Sequence, residues 1–135
     1  MKKISSRTIH PKIRELLSYA TSEDRVDLEY EKYIQSSELK LYVFESHGRT
    51  VGCIGIAFIS SDRCEIKHIA VSPNERGNNI GSQMIKFVCN KHSLCSIKAE
   101  TDNGAVEFYK KNGFEITNLG EKYPGVERFL CEFTI

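Results

Sequence analysis

The amino-acid sequence predicts an α/β protein built on a mixed β-sheet, and three observations predict it. Along the chain the hydrophobic period switches repeatedly between the three-to-four spacing of helices and the two-residue spacing of strands. A strand, a glycine-bearing turn, a helix and a strand follow one another within about 40 residues, a βαβ unit whose two strands run parallel. Runs of strand character joined by short turns lie on both sides of that unit and supply antiparallel neighbours.

The elements read in order as follows. Pro11 opens a helix at its first position, and Ile13, Leu16, Leu17 and Ala20 fall on one face. A second helix is expected from Thr21, with Asp24 three residues on as in a capping box and Val26, Tyr30, Tyr33 and Ile34 turned inward. From Leu39 the period shortens. Leu39 to Glu45 and Val51 to Ser60 read as the strands of a hairpin closed by His47-Gly48-Arg49-Thr50. After Ser61-Asp62-Arg63 comes a strand from Cys64 to Val71, ended by Ser72-Pro73-Asn74. The next helix lines its inner face with Ile80, Met84, Phe87 and Val88, and a strand follows over Cys95 to Thr101. A helix from Gly104 to Asn112 is stopped by Gly113, and strand-like runs from Phe114 to Thr117 and from Glu127 to Ile135 close the chain.

Composition narrows the function classes. With 135 residues, of which 40% are hydrophobic and 27% charged, the chain suits one domain around one core, and no repeat or linker divides it. Nineteen Lys and Arg against eighteen Asp and Glu leave a formal charge of +1, too little for a basic field that grips nucleic acid. The most apolar run, Val51 to Ile59, is far shorter than the roughly 20 residues of a membrane span. Lys2 and Lys3 are followed by polar residues and not by the apolar core of a signal peptide, so a cytoplasmic location is expected. The five cysteines have no CxxC spacing and are expected to be reduced, buried hydrophobes. Neither Cys64 with His68 nor Cys89 with His92 has zinc-site spacing, so no metal is expected.

The chemistry is concentrated where the Ile69-Ala70-Val71 strand end passes through a polar turn into a helix. Such a turn presents unpaired backbone N–H groups at the positive helix end, a ready site for phosphate oxygens, and Arg76 adds a cation. No lysine follows Gly81, so the turn is not a triphosphate-binding Walker loop, and the dinucleotide pattern GxGxxG is absent.

Two segments resemble the GNAT superfamily of N-acetyltransferases. Ile69-Ala70-Val71-Ser72-Pro73, with Arg76 through Gly81, is similar to that family's strand end and its Q/R-x-x-G-x-G/A loop. Asn79 stands where the loop has its first glycine, and Asn is the other residue that readily turns left-handed. Downstream, Asn103 to Phe114 is similar to the family's N-x-A-x-x-F-Y-x-x-x-G-F segment. The resemblance extends from Leu39 to Ile135, and residues before it match only in being two helices.

The resemblance implies a strongly twisted sheet with helices on both faces, split where the Cys64–Val71 and Cys95–Thr101 strands part. It implies transfer of acetyl from acetyl-coenzyme A to a primary amine by direct attack in a ternary complex. The pyrophosphate is then expected on Arg76, Gly77, Asn78, Asn79, Ile80, Gly81 and Ser82, and the thioester carbonyl against a backbone N–H of Ile69, Ala70 or Val71. Asn103 is expected either at the pantetheine or as a helix cap. Tyr109 is placed to protonate the leaving thiolate, with a helix-stripe core role as its alternative.

A lysine-like amine is mostly charged at neutral pH, and deprotonating it costs roughly 4 kcal/mol, so a base is useful. Glu65 and His68 are the candidates, with water-mediated proton loss as the third route. Strict alternation puts Glu65, Lys67, Ile69 and Val71 on one face, and Cys64, Ile66, His68 and Ala70 on the other. Tyr123, Glu127 and Arg128, around a Pro-Gly turn, are candidates to line the acceptor pocket. The acceptor itself, a small-molecule or peptide amine, has no code in the sequence, and a homodimer is compatible with it. The competing expectation is a non-catalytic coenzyme A-binding regulatory or protein-interaction module on the same fold.

Overall fold

A computed structural model describes residues 1–135. One seven-stranded sheet runs through the molecule in the order β1-β2-β3-β4-β5-β7-β6. The strands are β1 (Lys2–Lys3), β2 (Leu39–Ser46), β3 (Arg49–Ser60), β4 (Arg63–Val71), β5 (Ser96–Thr101), β6 (Glu115–Tyr123) and β7 (Val126–Thr134). Only β4 and β5 pair in parallel. The helices are α1 (Pro11–Ser18), α2 (Val26–Gln35), α3 (Ile80–Lys91) and α4 (Val106–Lys111).

Helices cover both faces. Ile13, Leu16 and Leu17 of α1 and Val26, Tyr30 and Tyr33 of α2 pack with Leu41, Val43, Cys53 and Ala70 on one side. On the other, Ile80, Met84, Ile85 and Val88 of α3 and Tyr109 of α4 pack with Ile54, Ile56, Ile66, Ile97 and Cys131. The β2–β3 hairpin turns on His47 and Gly48, both with positive φ (52° and 76°), a turn whose twist matches that of its strands.

Several expectations need correction. The second helix does not start with a capping box at Thr21. A short 3₁₀ turn over Glu23–Arg25 leads into it, and Ser22 before that turn makes no side-chain cap bond. Strand β6 runs on to Tyr123 rather than ending at Thr117, so only Pro124-Gly125 separate it from β7, where Glu127 and Arg128 lie as expected. Cys53, Cys64 and Cys131 are buried and every cysteine is free, but Cys89 is half-buried and Cys95 exposed.

The most consequential correction concerns β4. Gly55 faces His68 across the ladder while Ile56 faces Ile66, so Lys67 is an extra residue, a β-bulge. The bulge reverses the pleat. Cys64 and Ile66 point to the α3–α4 face, whereas Ala70 belongs to the α1–α2 cluster and His68 meets Tyr33 of α2. Glu65 and His68 therefore share a face, and Ile69 and Val71 lie opposite them, against the α3–α4 cluster.

Candidate active site

Strands β4 and β5 touch only at Arg63↔Ser96, Cys64↔Ile97 and Glu65↔Lys98, after which they part. The opening is flanked by β4 backbone with no partner strand. Ser72 N–H donates to Val51 O on β3 at 2.8 Å, and N–H directions alternate along a strand, so the N–H groups of Val71 and Ile69 point into the opening.

The turn after β4 is built to leave donors free. Gly77 (φ 89°) and Asn79 (φ 61°) are both left-handed, so Asn79 does fill the role of a glycine at the start of α3. The first N–H here with a protein acceptor is Gln83, bonded to Asn79 O at 3.0 Å. The N–H groups of Gly77, Asn78, Asn79, Ile80, Gly81 and Ser82 donate to nothing in the protein. Six free amides at the positive end of a twelve-residue helix have the geometry to hold an anion.

Helix α4 closes the other side. A Cβ on Gly81 would stand 2.8 Å from the Phe108 ring, so only glycine lets the two helices approach this closely. Ser82 Oγ donates to Asn112 Oδ1, and Asn112 Nδ2 donates to Phe108 O at 2.8 Å, which fixes the approach. Between these walls lies a cleft of about 810 Å³. Ile69, Ala70, Val71, Arg76, Gly77, Asn79, Ile80, Gly81, Ser82 and Tyr109 all line it, as the sequence pattern anticipates.

Tyr109 is 4% exposed and packed edge-on between Phe108 and Phe114, at 5.1 and 5.2 Å between ring centroids. Its hydroxyl has no hydrogen-bond partner in the protein although the residue lines the cleft. Burial pushes its phenol well above the ordinary value of 10, so it stays protonated and able to donate.

The two base candidates lie on the opposite face of the sheet and outside the cleft lining. His68 is buried, and its Nδ1 is 2.6 Å from the Tyr33 hydroxyl. Desolvation lowers its pKa, with the Glu29 carboxylate opposing and Lys67, Lys32 and Arg25 assisting. Glu65 sits on the last rung before the strands part, 3.8 Å from the Lys67 ammonium.

Among the other candidates, Asn78 Nδ2 reaches Glu75 at 3.4 Å and Asn103 is exposed outside the cleft. Asp102 caps the turn in place of Asn103, its Oδ1 accepting from Gly104 N–H at 2.9 Å. Tyr123 is exposed at the hairpin tip, and Glu127 accepts from Asn118 at 2.9 Å. Arg128 lies 3.5 Å from Glu100, which also pairs with Lys122 at 2.9 Å. Glu100 faces away from buried Ala99, so this charged group lies on the same side of the sheet as His68.

Tyr19, Glu75, Asp102, Gly104, Ala105, Phe108, Lys111 and Asn112 also line the cleft and are not among the candidates that the sequence offers. Phe108 and Asn112 lie inside the recognised segment, so their helical spacing to Tyr109 was a usable sign. Tyr19 comes from the end of α1 and carries no such sign. No group of three His, Cys, Asp or Glu side chains is arranged to hold a metal ion.

Comparison with known proteins agrees with this fold. A family model described as an acetyltransferase (GNAT) domain matches residues 37–116. A GNAT family acetyltransferase from Elizabethkingia anophelis, solved with acetyl-CoA bound, is 24% identical, with 98% of this chain and 95% of that one covered and a TM-score of 0.73. The aminoglycoside 6′-N-acetyltransferase from Enterococcus faecium is 17% identical, with 99% and 97% covered and a TM-score of 0.78. The N-acetyltransferase PseH from Campylobacter jejuni, solved with acetyl coenzyme A, is 18% identical, with 98% and 97% covered and a TM-score of 0.70. No curated protein matches the chain by sequence. The family model spans more than half of the chain and includes β4, the free-amide turn and Tyr109, and the chain belongs to the GNAT acetyltransferase family.

Proposed function

We propose that the protein transfers the acetyl group of acetyl-coenzyme A to a primary amine of a small molecule or peptide, by direct attack in a ternary complex. The observation that carries this reading is the parted β4–β5 pair beside six free turn amides. The turn and Arg76 take the pyrophosphate, and the cleft leads the acyl arm toward the opening. There the N–H of Ile69 or Val71 meets the thioester oxygen, and one such donor is worth roughly 3–4 kcal/mol as charge develops on it.

The sheet separates acid from base. Tyr109 lies on the α3–α4 side, where the leaving sulfur would emerge, and donates its phenol proton to the thiolate. His68 and Glu65 lie on the other side, where an amine would approach, and one of them accepts its proton directly or through water. Arg128 and Glu100 stand on that same side, where the acceptor would rest. The bound structures of the E. anophelis and C. jejuni proteins support the cofactor assignment. The test is release of coenzyme A thiol from acetyl-coenzyme A across aminoglycosides, polyamines, amino acids and peptides, with Tyr109→Phe and Glu65→Gln as controls. Amine-dependent release is expected from one class. Cofactor binding without release for any amine would leave a binding module.

A further inference from the structure

Arg76 is held before any ligand arrives. Its Nε donates to Val71 O at 3.1 Å, and its guanidinium carbon stands 5.6 Å from the centre of the Tyr19 ring. The terminal nitrogens make no ion pair or hydrogen bond with the protein, so the outer edge of the fork is free toward the cleft that Arg76 and Tyr19 both line. Tyr19 is itself fixed, its hydroxyl donating to Glu15 at 3.1 Å while Glu15 is tied to Lys12 at 2.9 Å.

An exposed arginine loses side-chain entropy when it grips a phosphate, and an aromatic face that already holds the guanidinium removes part of that loss. We propose that Tyr19, which lies before the segment matched by the family model, is a positioning residue that presents Arg76 to the cofactor's diphosphate. The proposal rests on the acetyl-coenzyme A reading. It also gives α1, on the acceptor side of the sheet, a direct contact with the cofactor turn.

The test is calorimetric titration of coenzyme A into the intact protein and into Tyr19→Phe, Tyr19→Leu, Arg76→Ala and Tyr19→Leu/Arg76→Ala. Tyr19 is 44% exposed, so these variants are expected to fold, and their melting temperatures check this. Tyr19→Phe keeps the ring face and should bind as the parent does. Tyr19→Leu keeps apolar bulk without a π face and should weaken binding about two- to fivefold. On the Arg76→Ala background the same change should have no effect. Parental affinity in Tyr19→Leu, or a loss that adds fully to that of Arg76→Ala, would overturn the role of Tyr19 alone. Absence of coenzyme A binding by the parent would overturn the cofactor reading and this role with it.

Discussion

Removing a single oxygen from Tyr109 separates its chemical role from its packing role. In Tyr109→Phe the ring keeps its contacts with Phe108 and Phe114, and the lost hydroxyl had no protein partner, so no buried group is orphaned. The stability change should therefore stay within about 1 kcal/mol. Coenzyme A affinity should hold within about threefold, because the proposed diphosphate site is made of turn amides and Arg76 and not of the Tyr109 hydroxyl. On the proposed mechanism, however, the thiolate loses its proton donor. A placed general acid is worth about 10²- to 10⁴-fold, or about 2.7–5.4 kcal/mol of transition-state free energy, so kcat should fall by at least about 100-fold. The assay is continuous detection of released thiol at saturating acetyl-coenzyme A, with thermal unfolding and calorimetric titration alongside. The pH dependence has a definite sign: burial raises the phenol above 10, so the acid stays protonated and any alkaline fall in kcat due to it lies above pH 10. A variant with kcat within threefold of the parent, equally stable and equally able to bind cofactor, would show that the thiolate leaves without help from Tyr109.

Gly55→Ala would drive a methyl group into the Tyr33 hydroxyl and push it off His68; a loss of about 2–4 kcal/mol is expected from overpacking and the broken bond, measured by urea unfolding. Asn79→Val places a β-branched residue at φ 61° and should cost about 1–2 kcal/mol and weaken coenzyme A, whereas Asn79→Gly should keep both stability and binding. His68 and His92 titrate below their ordinary 6.5 when folded, so the unfolded chain binds more protons just below that pH. Stability should accordingly fall as pH drops from 6.5 towards about 5, before the depressed carboxylates Glu29 and Glu100 contribute, and His68→Gln should flatten that slope in pH-dependent unfolding curves.

The parts of the site legible in the sequence are those written locally. The β4 end, the polar turn, the first turn of α3 and the α4 stripe each depend on neighbours a few residues away, and Arg76, Gly77, Asn79 to Ser82 and Tyr109 line the cleft, with Asn78 turned to Glu75. Geometry that depends on distant partners is not written locally. The bulge at Lys67 is a one-residue register shift between β3 and β4, which alternation within β4 alone does not reveal, so strict alternation puts Glu65 and His68 on opposite faces. Strand β6 is longer than expected because it is an edge whose residues Asn118 to Tyr123 are largely exposed and polar, without a hydrophobic rhythm. Asp102, and not Asn103, holds the turn before α4 by accepting from Gly104 N–H, since either residue type suits such a bond and only the backbone path selects between them. Tyr19 meets Arg76 from 57 positions away in the chain, a contact that no motif encodes.

The central claim is that the amides between β4 and α3 hold the diphosphate of coenzyme A beside the β4–β5 opening. The most direct measurement is a titration of the ¹⁵N-labelled protein with coenzyme A, followed by amide chemical shifts. The expected result is saturable shifts concentrated at Ile69, Val71 and Gly77 through Ser82, with the surface of β2 and α2 unchanged. No shift in those amides at millimolar coenzyme A, or shifts confined to the α1–α2 face, would contradict it.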